Sequence, residues 1–274
     1  MKRVLVVGNG GMAGHMVLEY LQELGKYEMG ERYYPSASEP ELWKALRRDD
    51  PDVIVNAAGI LVEASETDRA RAISTNALLP NSLSAYCASN GGRVIHLSTD
   101  CVFAGDSVGN YHEDFVPDGT SVYARTKALG ELNNRNDLTF RTSFIGPELP
   151  GRQRGLFEWF MAQAGEVPGY ENVIWTGITT LELARAIDAA IDQNLTGLYH
   201  LASYDTISKF NLLRLIAYVW EKSDVTIVPV SEPRSDRSLI CTRSDFDYTI
   251  PTHAEMLEQL RGWMHQHPDL YKTG

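Results

Sequence analysis

The sequence predicts an α/β fold built on a doubly wound parallel sheet, and three observations carry that expectation. Short apolar runs alternate with helix-length amphipathic stretches through residues 1–141, the order that builds parallel sheets. The apolar runs are continuous rather than alternating, as strands buried on both faces require. The first run ends in a glycine-rich turn, Gly8–Gly14, placed between a strand and a helix.

In order, Val4–Val7 is the first strand. Met12, Met16, Leu21 and Leu24 mark a helix closed by Gly25. A weakly marked second strand lies around Tyr27–Tyr34. Ser38-Glu39-Pro40-Glu41 has the form of a capping box opening a helix through Arg48. Val53–Val55 is a strand ending in Asn56-Ala57-Ala58-Gly59, and a long helical segment runs from about Thr67 to Ala88. Arg93–Leu97 is the next strand, ending in Ser98-Thr99-Asp100. A helix over Ser121–Asn134 and a strand at Leu138–Arg141 follow.

After Gly146-Pro147 the pattern changes. A loop rich in proline and glycine leads to a helix with Leu156, Phe157, Trp159 and Phe160. Then come a strand near Val173, a helix over Thr180–Ile191, a strand at Leu198–Leu201, a helix at Ser208–Trp220, a strand at Val225–Val228 and a last helix near Ala254–Met264. The expected organisation is residues 1–146 as one domain and 147–274 as a smaller mixed α/β region. Elements at about 173–195 return to the first domain.

The chain has 274 residues, enough for one or two domains with a sizeable core. With 43% hydrophobic, 22% charged and 9% aromatic residues, it is neither disordered, collagen-like nor a coiled-coil rod. The net charge of −11 makes nucleic acid an unsuitable main partner. Cys87, Cys101 and Cys241 fit no zinc or disulfide spacing and read as free thiols in a reducing compartment. The apolar run before Gly8 is too short for a signal-peptide core, and no window is long enough to cross a membrane. A cytoplasmic protein is expected, with no metal.

Gly8, Asn9, Gly10, Gly11, Met12, Ala13 and Gly14 occupy the place where a dinucleotide pyrophosphate rests on backbone N–H groups and a helix N-terminus. Two glycine spacings fit at once: Gly8, Gly10 and Ala13, or Gly8, Gly11 and Gly14. At the end of the second strand, Glu31 suits a free ribose 2′-hydroxyl and Arg32 a 2′-phosphate. Arg32 favours NADP(H), with NAD(H) the alternative. Asn56, Ala57, Ala58 and Gly59 are small enough for a cofactor to lie against backbone, although small residues end many strands.

Tyr123 and Lys127 are four residues apart, one turn on one helix face. A tyrosine titrates near 10, and a neighbouring cation lowers that value toward the range useful for proton transfer. The lysine can also hold the nicotinamide ribose. Thr99, at a strand's carboxyl end and 24 residues before the tyrosine, offers a hydroxyl to a carbonyl oxygen gaining negative charge.

Taken in this order, these motifs resemble the extended short-chain dehydrogenase/reductase superfamily and, within it, the dTDP-4-dehydrorhamnose reductase family of nucleotide-sugar reductases. The stretches that carry the resemblance are Gly8–Gly14, Val53–Gly59, Val94–Gly105, Tyr123–Glu131, Phe140–Ser143 and Gly197–Leu201. The resemblance implies a Rossmann domain with a smaller C-terminal substrate region. It implies Thr99 as the carbonyl-binding hydroxyl, Tyr123 as proton donor, Lys127 as its partner and Asp100 in the sugar site. Cys101 stands where the family usually has tyrosine, and Phe144 where it usually has tryptophan. The loop Ile60–Glu66 also departs from the family's usual acidic block. These differences leave the sugar open and point to a divergent branch of polysaccharide gene clusters.

Other residues have plainer readings. Cys101 is expected to line the pocket rather than react. His96 and His200 read as core histidines, and Phe157, Trp159, Phe160 and Trp175 as core aromatics, with stacking on a nucleotide base as the alternative. Arg234 and Arg237, in an irregular segment, are candidates for a substrate diphosphate, with a solvated loop as the alternative. The expected activity is NADP(H)-dependent reduction of a 4-keto-6-deoxy nucleotide sugar by a monomer or homodimer. An epimerase or dehydratase, or a non-catalytic NADP-binding regulatory subunit, is the alternative.

Overall fold

The computed structural model describes residues 1–30, 40–106, 109–151 and 155–271. β1 (Arg3–Val7) leads into α1 (Met12–Glu23), followed by β2 (Glu28–Met29), α2 (Pro40–Asp49) and β3 (Val53–Asn56). Next come α3 (Val62–Thr67), α4 (Arg69–Ala72), a π-helical stretch (Ile73–Leu78), α5 (Leu79–Asn90) and β4 (Arg93–Leu97). A 3-10 turn (Asp100–Val102), α6 (Val122–Leu129), β5 (Leu138–Arg141) and β6 (Phe144–Ile145) follow. The remainder is α7 (Leu156–Met161), β7 (Gly165–Tyr170), β8 (Val173–Trp175), β9 (Ile178–Thr179), α8 (Thr180–Asp192), β10 (Gly197–His200), β11 (Ile207–Ser208), α9 (Lys209–Val219), β12 (Val225–Val230), β13 (Ser235–Asp236), α10 (His253–Gln266) and α11 (Pro268–Tyr271).

Six strands form one parallel sheet in the order β10-β5-β4-β3-β1-β2. From β1 the chain crosses to β2 on one side, then returns to β3 on the other. The winding therefore reverses between β1 and β3, and the crevice outside their carboxyl ends is where ligands bind in such sheets. Both faces are covered. Val4, Val6, Val53, Val55, Ile95 and Leu97 face α1 and α8 in the largest core cluster. Leu5, Val7, Ile54 and Val94 face α2 and α5 through Leu42, Leu46, Leu79 and Leu83. That period-two division explains why each strand reads as a continuous apolar run. β10 and α8 lie late in the sequence yet belong to this sheet and this core.

A third cluster joins α7, β7, β8, α9 and α10 through Phe157, Phe160, Val167, Trp175, Leu212, Ile216 and Leu257. Two small sheets accompany it, β12 with β7 and β11-β8-β13.

Several elements differ from expectation. Of the second strand only Glu28–Met29 is paired, and Glu31, Arg32, Ser38 and Glu39 lie outside the described residues. The long helix from Thr67 is interrupted by the π-helical stretch. α6 stops at Leu129 rather than Asn134. A Cβ on Gly130 would lie 2.0 Å from the Asn76 carbonyl, so close backbone packing sets the helix end. Beyond it, the Asn134 side chain turns the chain by accepting from the amides of Asn136 and Asp137, both at 2.8 Å. β7 contains Gly165, Pro168 and Gly169, which weaken any strand signal. It forms because all six residues pair in register with β12.

Candidate active site

The glycine turn connects β1 to α1 at the switch point. Gly8 has φ +83°, and a Cβ there would meet the Ala58 nitrogen at 2.5 Å. A Cβ on Gly14 would sit 2.2 Å from the Gly8 carbonyl oxygen. These are the close approaches only glycine permits. Gly11 has more room, its nearest contact being 3.5 Å. The geometry therefore follows the Gly8, Gly11, Gly14 spacing. Gly11 precedes α1 without a side-chain cap, and no acid lies in the first helical turn, so the free N–H groups and positive helix end suit an anion. Asn9, Gly10, Ala13 and Gly14 are buried and Met12 is half-buried. Asn56, Ala57, Ala58 and Gly59 end β3 beside the turn, with Ala57 and Ala58 backbone against Gly8. These residues fit a dinucleotide's pyrophosphate.

Thr99 follows β4 and caps the 3-10 turn, its Oγ1 accepting from the Cys101 amide at 3.1 Å. The same hydroxyl donates to Asp100 Oδ1 at 3.1 Å and stands near enough to the Tyr123 phenol to favour its ionised form. α6 brings in Tyr123 and Lys127. It begins where Ser121 caps the Ala124 amide at 3.1 Å, and it is fixed laterally by Asn76 of the π-helical stretch. Asn76 Nδ2 donates to Thr126 Oγ1 at 3.2 Å and to the Ile60 carbonyl at 3.0 Å, while its Oδ1 accepts from the Ile60 amide at 2.8 Å. Asn76 thus ties the loop after β3 to the helix carrying the tyrosine. Ser74 and Thr75 stand beside it, so nothing local in the sequence singles Asn76 out.

Tyr123 departs from the expected electrostatics. Burial is the main influence and pushes its phenol up, with the Cys101 thiol and Asp100 adding to the rise and the nearby Thr99 hydroxyl opposing it. The expected lowering by Lys127 is absent because the amine is directed elsewhere. Lys127 Nζ donates to the Leu97 carbonyl at 2.6 Å and lies 3.4 Å from His96 Nε2. Burial pushes the amine down to about 8, against an opposing pull from Glu131. Glu131 accepts from Ser98 Oγ at 2.7 Å and holds Arg141 in a buried ion pair at 2.7 Å.

Burial raises the Cys101 thiol to about 12, so it is un-ionised at neutral pH. Arg237 reaches the same loop from beyond β13. Its Nε donates to the Phe103 carbonyl at 2.9 Å, its Nη2 to Ala104 at 3.0 Å, and its Nη1 lies 3.9 Å from Cys101 Sγ. Arg234 is not brought to the site. It is exposed and pairs with Glu232 at 3.3 Å. Phe144 stands in β6, half-buried against the main core and paired with Ile178. His96 and His200 are fully buried, and Phe157, Phe160 and Trp175 are core residues, whereas Trp159 is 39% exposed.

Lys209 was missed by sequence reasoning. It opens α9, with Nζ 4.4 Å from the Trp175 ring centre. Burial depresses its amine to about 8, opposed chiefly by the Asp100 carboxylate. A lone lysine at a helix start gives no sequence signal; only the fold brings it toward Asp100. Among the described residues no group of acids, histidines and cysteines could hold a metal, and no helix is long and apolar enough to cross a membrane.

The sequence pattern of the RmlD substrate binding domain family matches residues 1–243. The chain belongs to that family. Among curated RmlD-type relatives, dTDP-4-dehydrorhamnose reductase of Mycobacterium tuberculosis (strain H37Rv) is 27% identical over 261 residues, covering 88% of this chain and 86% of the relative. The enzyme of that name from Burkholderia thailandensis is 34% identical over 149 residues, and there the chain spans only half the relative's length. A solved structure of dTDP-4-dehydrorhamnose reductase from Bacillus anthracis in complex with NADP superimposes with TM-score 0.83 at 20% identity, covering 96% of this chain and 99% of that one. This likeness confirms the Rossmann-type fold.

Proposed function

We propose that this protein is an NADP(H)-dependent reductase of a 4-keto-6-deoxy nucleotide sugar. The observation that carries the proposal is the grouping of Thr99, its bonded partner Asp100 and the Tyr123 phenol at the carboxyl end of β4, near the glycine turn at the switch point. Membership of the family and relatives named dTDP-4-dehydrorhamnose reductase support the substrate class.

Gly8–Gly14 and Asn56–Gly59 would hold the dinucleotide, with Lys127 at its ribose. Arg32, outside the described residues, is proposed from sequence alone as the 2′-phosphate contact. When bound, the reduced nicotinamide supplies the hydride. On substrate binding the Thr99 hydroxyl would turn its one proton from Asp100 to the substrate carbonyl oxygen, and Tyr123 would give that oxygen its proton. The raised phenol keeps its proton through neutral pH and releases it to the more basic alkoxide that reduction creates. Asp100, Cys101 and Phe144 would line the sugar site. Arg237 and Lys209 would provide local positive charge for the diphosphate against a net charge of −11. Residues 1–146 would bind cofactor and 147–274 mainly substrate. The enzyme would work in the cytoplasm as a monomer or homodimer.

Tyr123→Phe tests the chemistry. NADPH binding should persist while turnover falls by about 10² or more. Near-full turnover would rule out Tyr123 as the donor.

A further inference from the structure

Two buried histidines differ in whether one tautomer satisfies their neighbours. His200 Nδ1 lies 3.1 Å from the carbonyls of Tyr111 and Ile240, and its Nε2 lies 3.3 Å from Arg141 Nη1. A neutral ring protonated on Nδ1 meets all of them.

His96 sits between two nitrogen donors. It pairs in register with Asn56 across β3 and β4, and Asn56 Nδ2 lies 3.1 Å from His96 Nδ1. The amide is oriented by its other end, since Asn56 Oδ1 accepts from the Ala58 amide at 3.3 Å. His96 Nδ1 must then accept, and a neutral ring carries its proton on Nε2. Nε2 faces Lys127 Nζ at 3.4 Å. A neutral amine accepts that proton with its lone pair while donating to the Leu97 carbonyl. An ammonium has no lone pair, so two donors would oppose each other. The ring itself stays neutral, because burial and Lys127 hold its pKa well below the usual histidine value.

We propose that His96 is a positioning residue that couples the charge state of Lys127 to the Asn56–Ala58 turn by exchanging tautomers. When Lys127 is an ammonium, His96 accepts at Nε2 and carries its proton on Nδ1. The Asn56 amide then turns its oxygen to that proton, and the Ala58 amide loses its acceptor. When Lys127 is neutral, the arrangement described above returns. As the pH rises the pair loses one proton in all: Lys127 gives a proton to His96 Nε2, the Nδ1 proton passes to solvent, and the ring ends neutral in the other tautomer. The Ala58 backbone is what Gly8 packs against, so the effect reaches the glycine turn. Besides Lys127 and His96 themselves, the charged group acting on the pair is Glu131 from the loop after α6, which Arg141 of β5 neutralises. The consequence for cofactor binding rests on the proposed function; the tautomer exchange does not.

The test is long-range ¹H–¹⁵N correlation spectroscopy of ¹⁵N-labelled enzyme without ligands, titrated from pH 6 to 10. One histidine should remain neutral throughout and move its proton from Nδ1 to Nε2, with a midpoint near the Lys127 value of about 8. The Ala58 amide signal should shift with the same midpoint. In Lys127→Met the exchange should vanish, leaving the Nε2 proton in place. A His96 of constant tautomer, an invariant Ala58 amide, or exchange persisting in Lys127→Met would each overturn the proposal. The measurement on the native chain stands even if the variant does not fold. It needs neither cofactor nor substrate, so its failure is separable from failure of the reductase assignment.

Discussion

Gly14→Ala places a methyl group where the structure has backbone. The new Cβ would lie 2.2 Å from the Gly8 carbonyl oxygen, 2.7 Å from its carbon and 2.9 Å from Asn9 Cα. None of these is a side-chain end that can swing aside. To reach ordinary van der Waals separation, α1 must move from the turn by about 1 Å. Overpacking of this kind costs about 1–3 kcal/mol, or roughly 2–12 °C in Tm for a chain of this size. The same displacement carries the α1 N–H groups off the proposed pyrophosphate. Losing one charge-assisted bond of about 1.5–3 kcal/mol weakens NADPH binding by roughly ten- to a hundredfold. Gly11→Ala is the control, because its φ is −87° and its nearest contact 3.5 Å; it should change Tm little. Thermal unfolding and NADPH fluorescence titration measure both effects. If Gly14→Ala keeps the wild-type Tm and affinity, the close packing of turn and helix is not what fixes this site.

Two further outcomes follow from the charges. Arg237→Ala removes a cation that bonds the Phe103 and Ala104 carbonyls rather than the proton donor, so it should raise KM more than it lowers kcat; unchanged titration of the nucleoside diphosphate would place the diphosphate elsewhere. Burial lowers His200 to about 4. Between about pH 6.5 and 4 the unfolded chain therefore binds a proton that the folded chain refuses. Stability should fall as pH drops through that window, by roughly 2 kcal/mol at pH 5, and His200→Gln should lessen the fall in urea unfolding. Equal stability of the native chain at pH 5 and 7 would contradict this.

The fold was legible where local pattern and tertiary demand agree. Val4–Val7, Val53–Val55 and Arg93–Leu97 are buried on both faces, so their apolar runs carried the sheet. Leu129 and the π-helical stretch were not legible, because the Asn76 carbonyl packed on Gly130 and the Asn76 bonds to Ile60 are contacts between distant segments. The Tyr123 and Lys127 spacing was read from one helix face. Their expected coupling failed because the Leu97 carbonyl and His96, both on β4, take the lysine amine. Arg237 and Lys209 illustrate the same limit. Nothing local separates Arg237 from Arg234, yet one lies against Cys101 and the other pairs with Glu232 in solvent.

The central claim is reduction of a keto sugar nucleotide. Its most direct test is NADPH absorbance in wild-type enzyme mixed with a panel of nucleotide-linked 4-keto-6-deoxy sugars, with the product analysed by mass spectrometry. The account predicts loss of the reduced-nicotinamide band with at least one panel member and a matching gain of two hydrogens in the sugar. Enzyme that binds NADPH yet leaves every panel member unreduced, or converts one with no net oxidation of NADPH as an epimerase or dehydratase would, contradicts it.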